Sequence, residues 1–96
     1  MVKIRKLVLD VIKPQEPNMV EVARAIAKLK GVDGVNVSLL EIDRKVENVR
    51  ITIQGSDLNV EAIFDVIESL GGAVHSIDEV AAGKEIIEHA VTLEES

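Results

Sequence analysis

The sequence predicts an α+β fold in which four antiparallel strands lie under two helices, and three observations carry that prediction. The apolar content comes almost wholly from fifteen Val, eleven Ile and eight Leu, against one Phe and no Tyr or Trp. Branched aliphatic residues in this proportion suit a sheet covered by helices. Hydrophobic spacing alternates between period two and helical period in the order β-α-β-β-α-β. Sliding the chain along itself until Asn18 falls on Asn59 also lays Val22 on Ile63, Ile26 on Ile67, Leu29 on Leu70 and Gly31 on Gly72. The chain therefore reads as two similar β-α-β halves.

Val2 to Lys13 is nearly continuously apolar through Leu7, Val8, Leu9, Val11 and Ile12, and Pro14 closes it, so it reads as a long central strand. A short loop through Pro14 and Pro17 leads to Asn18, which with Glu21 three residues on makes an N-cap and capping-box pair. A helix follows to about Lys30, with Met19, Val22, Ala23, Ile26 and Leu29 on one stripe and Gly31 at its end. Val35 to Asp43 is the second strand. After the polar turn of Arg44 to Glu47, Val49, Ile51 and Ile53 alternate with Arg50, Thr52 and Gln54 in a half-buried third strand. Val60, Ile63, Ile67 and Leu70 form the stripe of a second helix that stops at Gly71 and Gly72, and Ala73 to Val80 is the last strand. Residues 84–96 form a C-terminal tail in which Lys84 to Leu93 fits a short helix or an edge strand equally well. Two β-α-β units with right-handed crossovers give the ferredoxin-like sandwich, strand order 4-1-3-2, with both helices on one face.

A chain of 96 residues makes one domain, here spanning residues 1–96. Area scaling buries only about 64% of the surface of so small a chain, which leaves little margin for a monomer. With Val8 and Ile12 adding apolar surface on the sheet face away from the helices, self-association is expected. No Cys is present, which fits a reducing, cytoplasmic setting, and no apolar run reaches signal-peptide or membrane-span length, so no membrane partner is expected. Net charge is −6. Residues 1–48 hold nine basic and seven acidic groups, whereas residues 49–96 hold two and ten. The acidic balance and the lack of strand aromatics exclude nucleic acid, which needs clustered cations and stacking platforms.

Several chemistries fall away for want of residues. There is no paired Cys for a metal chaperone, and no glycine pattern for a phosphate loop or a dinucleotide. His75 and Ser76 are adjacent on a strand and so point to opposite faces. An enzyme would need His75 or Asp10 as general acid or base, and neither has a partner at fixed spacing, so the sequence reads as a binding protein rather than a catalyst. Acidic residues inside strands are the informative ones. Asp10 lies in a central strand, where Asp is depleted, and either pairs with Arg50 across the strands or lines a ligand or ion site. Glu41 and Asp43 share one face of the second strand, and Asp78 lies on the fourth. Such carboxylates form either a solvated acidic edge or a site for a hard cation, Mg²⁺ or Ca²⁺, with His75 available to a transition metal.

The stretches Leu7-Val8-Leu9-Asp10-Val11-Ile12-Lys13-Pro14, Glu41-Ile42-Asp43, His75-Ser76-Ile77-Asp78-Glu79-Val80 and Gly83-Lys84 together resemble a small archaeal family known as domain of unknown function 211. The likeness covers essentially the whole chain and is most specific from His75 to Val80. It implies a ferredoxin-like fold and closed homo-oligomeric rings, and it implies no particular activity. Where that family commonly carries Thr after the second strand, this chain has Val46 before Glu47 and Asn48, which removes a hydroxyl.

These readings converge on a ring-forming binding or regulatory module, with a small metabolite or divalent cation between subunits. The alternative is an amino-acid sensor, because Gly34-Val35-Asn36-Val37 after a helix looks like the corresponding stretch of ACT regulatory domains. The Asp-x-Pro-Gly loop of those domains is replaced here by Pro14-Gln15-Glu16-Pro17. In the ring, the basic flank of the first helix (Arg24, Lys28, Lys30) would meet the acidic flank of the second (Asp57, Glu61, Asp65, Glu68) of a neighbour. Edge would then meet edge, carrying Glu41 and Asp43 of one subunit toward His75 and Asp78 of the next.

Overall fold

A computed structural model describes residues 1–88. The elements are β1 (Ile4–Pro14), α1 (Met19–Ala27), β2 (Val32–Asp43), β3 (Val46–Gly55), α2 (Val60–Ser69) and β4 (Ala73–Ala82). The strands form one sheet in the order β2-β3-β1-β4, with every neighbouring pair antiparallel. This is the ferredoxin-like arrangement the sequence predicts, and it makes β2 and β4 the two edges.

The period-two alternation decides which side chains become core. Leu7, Leu9 and Val11 of β1 and Val49, Ile51 and Ile53 of β3 are buried against Val22 and Ile26 of α1, Ile63 and Ile67 of α2, and Leu58. Helix α1 packs on β2 and α2 on β4, so the basic and acidic helices flank opposite edges. Each helix starts at an asparagine whose side chain satisfies an otherwise orphaned amide. Asn18 Oδ1 accepts from Glu21 N at 3.0 Å and Asn59 Oδ1 from Ala62 N at 3.0 Å, as the correspondence between the two halves requires.

Boundaries shift where tertiary contacts extend a local pattern. Strand β2 starts at Val32, before the Val35 that the sequence suggests, because Asp33-Gly34 is carried within the sheet rather than as a turn. The register steps from Val32 opposite Gly55 to Gly34 opposite Gln54, leaving Asp33 as a bulged residue. Helix α1 ends at Ala27, and the Leu29 amide then bonds back to Ile26 O at 3.0 Å before Gly31 turns the chain. In the β2–β3 hairpin, Arg44 takes a left-handed backbone (φ 53°). The loop after β1 locks that turn, since Gln15 donates from Nε2 to Arg44 O (2.7 Å) and from its amide to Lys45 O (3.2 Å). Residues 84–88 adopt neither helix nor strand, and the remainder of the tail, 89–96, with the rest of the stretch read as helix or edge strand, lies outside the described residues.

Candidate functional site

Even-numbered positions of β1 turn away from the helices, onto a face that no helix among the described residues covers. The registers set side chains there into rows running β2, β3, β1, β4. One row is Ser38, Arg50, Asp10, Ser76; the next toward the start of β1 is Asn36, Thr52, Val8, Glu79; on the other side lies Glu41, Asn48, Ile12, Ala73. Val8 is buried beneath polar neighbours, against the expectation that it adds exposed apolar surface, whereas Ile12 is exposed. A shallow hollow of about 280 Å³ is bounded by Lys6, Val8, Arg50, Thr52, Asp78 and Glu79.

Three acceptor atoms on this face are buried without a hydrogen-bond donor: Asp10 Oδ1, Asn48 Oδ1 and Glu79 Oε2. Glu79 Oε2 does lie 2.9 Å from Lys6 Nζ, so it has an ion-pair contact although the hydrogen-bond angle is poor. Asp10 has no such relief. Asp10 and Arg50 are register partners, but the ion pairs among the described residues are Lys6 with Glu79, Lys6 with Glu88, and Lys13 with Glu47. The cross-strand pair considered for Asp10 is therefore not formed, and Arg50, which is exposed, borders the hollow instead. An unpaired buried acceptor normally costs about 1–3 kcal/mol, so a carboxylate oxygen left this way marks a position suited to a donor or a cation from outside.

Two bulges in β4 decide where the other candidate ligands go. The register jumps from Glu79 opposite Val8 to Ile77 opposite Leu9, and from Ser76 opposite Asp10 to Val74 opposite Val11, so Asp78 and His75 are the extra residues. Asp78 accepts from Ser76 Oγ at 2.7 Å and joins the open-face hollow. His75 borders a different groove, with Phe64 and Glu68 of α2. Glu41 lies two strands from β1, about 10 Å by strand spacing, and Asp43 lies at the end of β2. Of the five residues, one subunit thus brings Asp10, Asp78 and Glu41 to the open face, with Glu41 on the opposite edge strand from Asp78, and leaves Asp43 at the end of β2 and His75 in the other groove. Among the described residues no three His, Asp or Glu side chains gather closely enough to hold a metal ion.

Lys6 and Glu79 belong to this face, and neither stands out in the sequence. The signal for Lys6 is its even position in β1; the register that brings Glu79 to it depends on the bulge. The Glu88 carboxylate, to which Lys6 Nζ donates, and then the Glu79 carboxylate beside it raise the Lys6 ammonium above its ordinary value of 10.5. Because the folded value lies above the unfolded one, the stability from these contacts is complete below pH 10.5 and is lost as pH rises through the folded value. The melting-temperature difference between wild type and Lys6→Met should hold constant from neutral pH to that point and shrink beyond it. A difference that stays level through the alkaline range would show that the ion pairs do not contribute.

Among the described residues no helix is long and apolar enough to cross a membrane. A family model described as DUF211, uncharacterized ArCR, matches residues 5–96. The chain is also 51% identical over 89 residues, 93% of this chain and 92% of the other, to the uncharacterized protein MJ0319 of Methanocaldococcus jannaschii. On these two likenesses the chain belongs to the archaeal DUF211 family.

Proposed function

We propose that the protein is a homo-oligomeric binding module that assembles head to tail into a ring and holds a small metabolite or divalent cation where subunits meet. The observation that supports this most is the state of the two edge strands. Leu39, Leu40 and Ile42 of β2 and Ile77 and Val80 of β4 are all exposed, and the two strands carry four of the five candidate ligands. Long apolar edges are templates for another chain unless something covers them. Bulges at Leu40, His75 and Asp78 interrupt both edges, which favours contact through side chains over a continuous backbone ladder. Strand β2 runs parallel to β1 and β4 antiparallel to it, so a head-to-tail neighbour presents its β4 antiparallel to β2. Without sliding along the strands, the row of Glu41 continues into the 73–75 stretch of the neighbour, close to His75. A cation site absent from one subunit would be completed this way.

Light scattering at micromolar concentration should give a single closed oligomer, and Mg²⁺ or Ca²⁺ should raise the melting temperature of wild type but not of Glu41→Gln/Asp43→Asn. A species with the mass of one subunit would overturn the assembly, and equal responses of the two proteins would overturn the cation site.

A second reading, an ACT-like amino-acid sensor, draws support from the open face. Asp10 offers a free acceptor and Arg50, its register partner, makes no hydrogen bond or ion pair among the described residues. Acceptor and donor side by side suit the ammonium and carboxylate of an amino acid. Stabilisation by an amino acid, lost in Asp10→Asn and Arg50→Ala, would favour this reading over the cation. A ligand at 100 times its Kd adds about 2.7 kcal/mol, well within reach of a thermal shift.

A further inference from the structure

Beyond the first residues of β1, the end of β3 and the end of β4, the molecule holds a second and larger hollow of about 730 Å³, within the size range of small-molecule sites. It lies at one end of the sheet, away from Glu41 and Asp43. Lys3, Arg5, Ser56, Gly83 and Lys84 border it, together with apolar Met1 and Val2, and among the described residues no acidic side chain lines it. Three of the eleven basic residues of a chain with net charge −6 therefore meet in one concavity. Like charges repel, so this grouping needs a reason.

Arg5 supplies the structural detail that goes beyond a patch of lysines. The β1–β4 register slips between Ile4 and Lys6, which makes Arg5 the bulged residue and directs its side chain to the sheet end. Its guanidinium is already fixed: Nε donates to Gly55 O at 2.8 Å, and Nη1 donates to Lys84 O at 2.6 Å, with a longer contact to Gly83 O at 3.5 Å. The Gly83 amide in turn donates to Lys3 O at 2.9 Å, holding Lys3 and Lys84 on the same rim. Among the described residues Nη2 donates to nothing. A guanidinium whose orientation is set before a ligand arrives loses little entropy on binding, and its unused N–H groups match a tetrahedral oxyanion.

We propose that this hollow is an anion site that takes the phosphate group of a phosphorylated small molecule. Arg5 is the fixed donor, Lys3 and Lys84 supply mobile charge, and the Ser56 hydroxyl offers a neutral donor. Phosphate is favoured over a single carboxylate because a phosphate monoester carries a charge of roughly −1.5 to −2 at neutral pH, closer to the three cations that converge. The site is separate from Asp10, Arg50 and the strand edges, so it stands or falls independently of the ring and its interface ligand.

The test is a two-dimensional ¹H–¹⁵N NMR titration of the full chain with inorganic phosphate, at constant low ionic strength maintained with chloride. Saturable shifts of the Ser56, Gly83 and Lys84 amides are expected. Lys3→Ala/Lys84→Ala, which alters only surface side chains, should weaken the affinity about tenfold or more, equivalent to roughly 1.4 kcal/mol. Arg5→Lys, which keeps the charge but loses the clamp on three carbonyls, should weaken it too, while Asp10→Asn leaves it unchanged. Shifts that never saturate, that chloride alone reproduces, or that the double lysine variant retains at wild-type affinity would overturn the proposal.

Discussion

Replacing Gly55 by Ala is expected to destabilise the protein by about 3 kcal/mol or more, at the upper end of what overpacking costs. An added Cβ at the end of β3 would stand 1.9 Å from Gly31 O and 2.8 Å from Leu58 Cδ2. The first of these is backbone, and it cannot swing aside as a side chain would. Gly31 faces the same difficulty from the other direction: its φ is +91° and its own Cβ would meet Asp57 O at 2.1 Å. The turn after α1 and the loop before α2 thus touch through bare backbone, and two glycines make that approach possible. At this chain length each kcal/mol moves the melting temperature by roughly 4–8 °C, so a drop on the order of 12 °C or more should appear by calorimetry. A Gly55→Ala protein melting with wild type would mean that the two segments are not so close.

The second large effect is expected at the far end of the same strands. Lys13 lies on the helix side of β1, its side chain only 3% exposed, and its Nζ donates to Glu47 Oε1 at 2.8 Å and to Pro14 O at 2.8 Å. Glu47 is its register partner on β3. Removing one member of a buried pair leaves the other charge without compensation, which typically costs about 3–5 kcal/mol, whereas replacing both by apolar groups is often neutral. Glu47→Ala should therefore be severely destabilised in chemical denaturation, and Lys13→Met/Glu47→Leu should recover most of the loss. If the single variant loses less than about 1 kcal/mol, as is usual for solvated surface pairs, the pair is not buried in solution.

Much of the architecture was legible because its determinants are local. Asn18 and Asn59 hold equivalent places in the two halves, each before a stripe of Val and Ile at helical spacing, and each caps its helix. The alternation around Leu7, Leu9 and Val11 named the buried face of β1 correctly, and with it the outward position of Asp10. Its partnership was not legible. Opposition of Asp10 and Arg50 follows from strand order and parity, yet the guanidinium borders the hollow and the carboxylate oxygen keeps no donor. Side-chain direction in the middle of a row depends on neighbours from the flanking strands, which spacing along one strand cannot report. Lys13 shows the same limit. Its place in an apolar run hid that it is a buried cation, because its partner Glu47 belongs to a different strand, far along the chain.

What the sequence determined by itself is the order of elements, the caps, the core stripe and the charge difference between the two helices, all of which depend on residues within a few positions of one another. What only the tertiary structure decided are the bulges at Arg5, Asp33, Leu40, His75 and Asp78. A bulge is one extra residue on one strand relative to its partner, so it is a property of the pair and leaves no period in either strand alone. The two in β4 separate His75 from Asp78, the one at Leu40 sets Glu41 opposite Asn48, and the one in β1 aims Arg5 at the end of the sheet. The candidate sites therefore arise from register between distant strands, while the scaffold that carries them arises from local pattern.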